Sequence, residues 1–177
     1  MAKPDDPLKT LESLLAGHAT PVVAIERLAP SSFYDLQYRT AIIASAIRCH
    51  AKPYAVSRVR IQTARLKLLQ FIACRSWLIP MVQRWSDAQH DAQLALLASQ
   101  RLRRGFLGDS MHDDVIGYLV AAGALTQSGS HVICPAESGL LGDLYNAIVE
   151  KNLFVTERDA LEALGHIKIT NPMLEGW

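Results

Sequence analysis

The sequence predicts a mainly α-helical protein in which a helical N-terminal part leads into a C-terminal part containing one short β-hairpin. Three observations carry this reading. No glycine lies between Gly17 and Gly105, whereas nine of the ten glycines fall at or after Gly105, so the backbone changes regime near that residue. Apolar residues of the first part recur at helical spacing. In the second part, Ala124-Leu125-Thr126-Gln127 and Ser130-His131-Val132-Ile133-Cys134 flank a Ser128-Gly129 turn, the pattern of a hairpin. With 177 residues, half of them hydrophobic, the chain can bury an ordinary core.

Leu8, Leu11, Leu14 and Leu15 have helical spacing and stop at Gly17, which predicts a short helix within an N-terminal arm, residues 1–30. Residues 31–107 form a basic helical part. Its first helix starts at Ser31 or Ser32 and runs to about His50, with Leu36, Thr40, Ile43 and Ile47 as a stripe and Lys52-Pro53 as the stop. Residues 55–79 read as a second helix that is apolar around most of its circumference, and so either central in the fold or covered by a partner, with Pro80 kinking or ending it. A third helix is predicted from Asp91 as N-cap to Arg104, before Gly105. Residues 108–177 make the last part. Ser110 is the expected cap of a helix that ends at Gly123, the hairpin comes next, a helix spans about Ser138 to Glu150, and Thr156 opens a final helix stopped by Gly165. Helices followed by a two-stranded wing are winged-helix-like. The tail from Ile167 to Trp177 carries Ile169, Met173, Leu174 and Trp177 without helical or strand periodicity, which predicts docking on its own domain or on a neighbour.

The formal charge of +1 hides a strong polarity. Between Arg39 and Arg104 there are twelve basic and two acidic residues, whereas residues 105–177 carry three basic and ten acidic ones. Such asymmetry points to a charged partner or to the two parts facing each other. Arg58, Arg60, Arg65 and Lys67, together with Arg101, Arg103 and Arg104, are the expected contacts to DNA or to acidic protein. Arg101, Arg103 and Arg104 also suit the last turn of a helix, where cations complement its dipole. Cys49, Cys74 and Cys134 are far apart and odd in number, which argues against a disulfide framework or a zinc ribbon. The polar, proline-bearing N-terminus resembles neither a signal nor a transit peptide, and no apolar run is long enough for a bilayer, so a cytoplasmic protein without membrane contact is expected.

No nucleophile elbow, phosphate loop or dinucleotide fingerprint occurs. The sharpest enzymatic pattern is the pair of dipeptides His90-Asp91 and His112-Asp113, ligand types that suit a metal phosphohydrolase. Both sit at predicted helix starts, where Asp serves as a cap, and no ordered set of further ligands accompanies them. No metal, cofactor or catalytic residue is therefore expected. The helix before the wing opens Met111-His112-Asp113-Asp114 and continues almost wholly apolar. Two carboxylates there repel a phosphate backbone, so reading of a duplex by that helix is disfavoured and a protein-binding wing is preferred.

The order of parts carries a resemblance. Ser31-Ser32-Phe33-Tyr34 leads into a helix rich in alanine (Ala41, Ala44, Ala46), then an arginine-rich middle, then Gly117-Tyr118-Leu119 and Gly123-Ala124-Leu125, and finally Ala163-Leu164-Gly165-His166-Ile167 with Pro172 beyond. This layout resembles the middle components of three-component ABC systems, the class that includes the small third subunit of Lamassu-type anti-phage complexes. Where that pattern prefers Asn-Pro, this chain has Ser31-Ser32. The resemblance implies a non-enzymatic accessory subunit that bridges or restrains a nuclease-like effector beside an SMC-like ATPase, with double-stranded DNA as a further partner of the basic middle. Met173, Leu174 and Trp177 are then the expected docking residues of the tail. The alternative is a free-standing winged-helix transcriptional regulator.

Overall fold

In the computed structural model, which describes residues 36–88, 91, 93, 95–96, 99–100, 102–103 and 111–174, the axis of the fold is helix α1 (Leu36–His50). Its ten residues from Tyr38 to Ile47 are all buried, so the predicted stripe of Leu36, Thr40, Ile43 and Ile47 marks only one of several covered faces. A helix covered all round has to lie in the middle of a domain. The small side chains of Ala41, Ala44 and Ala46 admit close neighbours, and α1 packs against α2 (Thr63–Ala73), α5 (Leu140–Glu150) and α6 (Val155–Gly165).

Residues 55–79 do not form one helix. The chain turns instead into β1 (Lys52–Ala55) and β2 (Arg58–Gln62), and only then into α2. The reason is local. Arg58-Val59-Arg60-Ile61 alternates polar and apolar side chains, the period of a half-buried strand, and Ile61 is the position turned into the core. Val56 and Ser57 make the connection, with Ser57 in the left-handed region at φ 56°. From Leu66 onward the apolar density suits a buried helix, and Leu66, Leu68, Leu69, Phe71 and Ile72 are at most 1% exposed. Pro80 starts a helix rather than stopping one. After a 3₁₀ turn (Ser76–Leu78) it occupies the first turn of α3 (Ile79–Asp87), where its missing N–H costs nothing.

Asp91 caps the next segment as expected: its carboxylate accepts from the Gln93 N–H at 3.0 Å and its carbonyl from the Ala95 N–H at 2.9 Å. Gln93, Ala95, Leu96, Ser99, Gln100, Leu102 and Arg103 are helical. α4 (Met111–Ala121) ends on Gly123 at φ 73°, where the Ala124 N–H reaches the Leu119 carbonyl and the Gly123 N–H that of Val120. These two bonds close the helix on a residue for which a left-handed backbone is cheap. Next come β3 (Thr126–Ser128) and β4 (His131–Pro135), with Gly129 at φ 56° in the turn. α6 starts at Val155, one residue before the predicted Thr156, because Phe154 takes the left-handed conformation at its N-cap while its ring packs edge-on against Tyr38.

The fold is thus mainly helical with a small antiparallel sheet of order β1-β2-β4-β3. The expected lone hairpin is corrected here: β4 is an interior strand, pairing with β2 from Arg58↔Pro135 to Gln62↔His131, so there are two hairpins joined side by side. Ile61, Val132 and Cys134 fill the core face of the sheet. The tail docks on its own domain. Ile167, Ile169, Met173 and Leu174 join one buried cluster that starts at Tyr38, and α7 (Asn171–Leu174) seats the last two. Among the described residues no helix is long and apolar enough to cross a membrane. The predicted helix ending at Gly17, the caps Ser31, Ser32 and Ser110, and residue Trp177 lie outside the described residues.

Candidate functional site

Strand geometry, rather than a helix face, gathers the basic residues. Successive strand side chains point to opposite sides, so Arg58, Arg60 and Gln62 share the face of β2 turned away from Ile61. Register then adds their neighbours: Lys52 lies directly opposite Arg60 on one side, and His131 opposite Gln62 on the other. Arg58, Arg60 and Lys52 are exposed, and the Arg60 guanidinium lies 5.1 Å from the ring centroid of the half-exposed Tyr54.

At the end of this face is a cleft of about 230 Å³, lined by His50, Lys52, Arg60, Ile61, Gln62, Arg65, His131 and Asn171. Six elements contribute to it. α1 ends at His50, whose Nε2–H donates to the Leu161 carbonyl at 2.8 Å and so leaves Nδ1 for other partners. Arg65 stands in the first turn of α2 and donates from Nη1 to the Ile169 carbonyl at 3.3 Å, tying the tail to the cleft wall. Lys52, Arg60 and Arg65 share this cleft with two imidazoles, and among the described residues no carboxylate lines it. Burial, together with the charge of Arg65, holds the His50 pKa below its ordinary value, against the opposite pull of the Leu161 carbonyl. Burial likewise pulls Arg65 below its ordinary value. Both shifts penalise positive charge, a penalty that a bound anion would relieve.

The seven basic residues singled out in the sequence part company. Arg60 and Arg65 meet in the cleft, and Arg58 shares the sheet face. Lys67 does not join them, since two residues along a helix turn the side chain by about 200°. It forms an ion pair with Asp113 at the start of α4. Arg103 is half-buried, and Arg101 and Arg104 lie outside the described residues. Met173 and Leu174 are 2% and 4% exposed, held in the chain's own core, so a partner would reach them only after the tail undocked. His50, Lys52, Gln62, His131 and Asn171 escaped sequence reasoning. The alternation Arg58-Val59-Arg60-Ile61 was the signal that would have found Lys52 across the hairpin; His131 and Asn171 left none, since only strand pairing and tail docking bring them in.

Of the two His-Asp dipeptides, Asp91, His112 and Asp113 take structural contacts, and His90 lies outside the described residues. Asp91 caps a helix, and Asp113 pairs with Lys67. His112 is 1% exposed, stacks edge-on with Phe71, and donates from Nδ1 to Gln70 Oε1 at 2.5 Å. Gln70 in turn donates from Nε2 to the Arg39 carbonyl at 3.4 Å, which fixes the orientation of its amide and hence the His112 tautomer. Among the described residues no group of three or more His, Cys, Asp or Glu is placed to hold a metal ion. Comparison of the chain with protein-family models, with curated proteins and with solved structures finds no match.

Proposed function

We propose that this chain is an accessory binding subunit that contacts the phosphate backbone of nucleic acid through the β1–β2 hairpin. The observation that carries the reading is the placing of Lys52 directly opposite Arg60, beside a cleft that also holds Arg65, His50 and His131 and, among the described residues, no carboxylate. Like charges opposed across a ladder are destabilising, and a polyanion converts that cost into binding free energy. Tyr54 under Arg60 adds an exposed aromatic face of the kind on which bases stack. The resemblance to middle components of three-component ABC systems puts such a subunit beside an SMC-like ATPase and a nuclease-like effector, and the acidic surplus after Gly105 suits contact with basic protein surface. In this reading the subunit is non-enzymatic and cytoplasmic.

A second reading, the winged-helix regulator, draws support from a strand order with β4 between β2 and β3 and α4 leading into β3, although α3 and the helical segment after Asp91 stand between α2 and α4. Its charge distribution is unfavourable. β3 and its turn carry no cation, and α4 opens with Asp113 and Asp114. The cations lie on the hairpin at the other edge of the sheet.

The test has two arms. Purified protein is titrated with labelled duplex of random sequence at several salt concentrations, and the tagged protein is co-purified from cells carrying its gene neighbourhood. Salt-sensitive binding without sequence preference, lost in Arg60→Gln, and recovery of a large coiled-coil ATPase support the accessory subunit. Sequence-dependent binding by protein that elutes alone supports the regulator. No binding to duplex at low salt sinks both.

A further inference from the structure

We infer that the cleft between the β1–β2 hairpin and the docked tail is a site for a single phosphate monoester dianion borne by a nucleotide. The inference rests on the nucleic-acid reading above and narrows it. A surface that tracks a phosphodiester strand meets one charge at each phosphate, spaced along the chain, and spreads its cations accordingly. Here Lys52, Arg60 and Arg65 converge instead on one concavity, from β1, β2 and α2. A phosphodiester offers one charge and two unshared oxygens. A monoester carries about −1.5 to −2 charges near neutral pH and three strong acceptor oxygens.

The donor inventory fits the second. Arginine offers five N–H donors and lysine three. Arg65 commits one of its donors to the Ile169 carbonyl, and Arg60 lies over Tyr54. The amides of Gln62 and Asn171 add further N–H donors, His50 has its Nε2–H committed to Leu161, and Ile61 contributes an apolar element. At about 230 Å³ the cleft is smaller than the pockets of roughly 300–1,000 Å³ that enclose drug-sized ligands. It accommodates a phosphate with the start of its ester and leaves the rest of the ligand outside, toward Tyr54 and Arg58. The same chemistry is presented by a free nucleoside monophosphate and by the 5′-phosphate of an oligonucleotide.

The experiment uses the full chain and four probes: a labelled single-stranded oligonucleotide with a 5′-phosphate, the same strand with a 5′-hydroxyl, a nucleoside monophosphate and the matching nucleoside. If the monoester comes from a strand end, the 5′-phosphorylated strand binds at least tenfold more tightly than its hydroxyl counterpart. If it comes from a free nucleotide, the monophosphate binds in calorimetry and displaces the labelled strand, and the nucleoside does neither. In both cases Arg60→Gln and Lys52→Gln abolish the preference for the monoester. Arg58→Gln lowers affinity for both strands alike and keeps the preference. Equal affinity for the two strands, with no displacement by the monophosphate, overturns the inference and leaves the backbone-binding function standing. Absence of binding to every probe overturns the inference, and absence of binding to duplex as well overturns both. Thermal melts of each variant separate loss of the site from loss of the fold.

Discussion

Reversing the charge at Lys52 is expected to stabilise the free protein while destroying its affinity for nucleic acid. Lys52 and Arg60 are direct cross-strand partners and both are exposed. Directly opposed residues start from Cβ atoms about 5 Å apart, so two long side chains that splay away from each other hold their charges on the order of 7 Å apart. In water that separation amounts to about 0.6 kcal/mol of repulsion. At about 0.15 M salt the Debye length of about 8 Å leaves less than half of it. Lys52→Glu replaces repulsion by attraction of similar size, which doubles the change to about 1 kcal/mol at low salt and about 0.5 kcal/mol at physiological salt. For a protein of this length 1 kcal/mol moves the melting temperature by about 2–4 °C. Calorimetry at about 10 mM and 150 mM salt should therefore show a rise of about 2–4 °C that shrinks by half, with Lys52→Gln in between. Anisotropy with a labelled duplex should show at least a tenfold loss of affinity. A lower melting temperature for Lys52→Glu, or unchanged binding, would refute the reasoning, because either would mean that these two charges are neither in conflict nor directed at a ligand.

The packing leads to four further outcomes. His50 is held below its ordinary pKa, and the charged groups lining the cleft with it among the described residues, Lys52, Arg60 and Arg65, are cations, with His131 and the amides of Gln62 and Asn171 beside them. The unfolded chain therefore takes up a proton before the native one does, so stability is complete above the unfolded value near pH 6.5 and falls as the pH drops below it toward the lower folded value. Urea unfolding between pH 5 and 8 should show this loss and should show it reduced in His50→Gln, which retains a donor for Leu161; equal slopes would remove His50 from the account. Gly142→Ala would bring a Cβ within 2.6 Å of the Glu137 carbonyl oxygen, so a loss of about 1–3 kcal/mol is expected in denaturant titration. Leu174→Ala, at a position 4% exposed, should cost about 2–4 kcal/mol, whereas a tail that docks elsewhere would leave the melt unchanged. Gln70→Ala removes the acceptor that Gln70 offers the buried His112 ring and the donor it adds at the Arg39 carbonyl, for an expected loss of about 1–3 kcal/mol in the same titration.

Elements whose signals are local were legible in the sequence. Asp91 as a cap, Gly123 as a helix stop and the strands on either side of Gly129 all rest on chemistry within a few residues. α1 was legible as a helix but not as the axis of the fold, because a stripe shows one buried face and the full ring of contacts comes from α2, α5 and α6. The β1–β2 hairpin was obscured by the helix on its C-terminal side. The run from Leu66 to Ile72 is dense enough in apolar residues to draw the preceding stretch into one long helical pattern, although Arg58-Val59-Arg60-Ile61 has the period of a strand. The difference relocates the candidate site. On a helix, Arg58, Arg60, Arg65 and Lys67 point several ways; on a strand followed by a helix, two of them share a face, a third completes the cleft and the fourth pairs with Asp113.

A rival account of the hairpin charges is protection of an edge. β1 is the outer strand of the sheet, and edge strands commonly carry lysine and proline to discourage pairing with another chain. Lys52 and Pro53 fit that account by themselves. Edge protection, however, asks for charge on the outer strand only. It gives no reason for Arg60, which lies on the paired strand β2, or for the half-buried Arg65, and none for a cleft that six elements build without a carboxylate among the described residues. The two accounts also separate in experiment. A glutamate guards an edge as well as a lysine does, so under edge protection Lys52→Glu remains monomeric and binds nucleic acid unchanged. Under the ligand account it remains monomeric and loses binding, and Arg60→Gln loses binding with it, although Arg60 guards no edge.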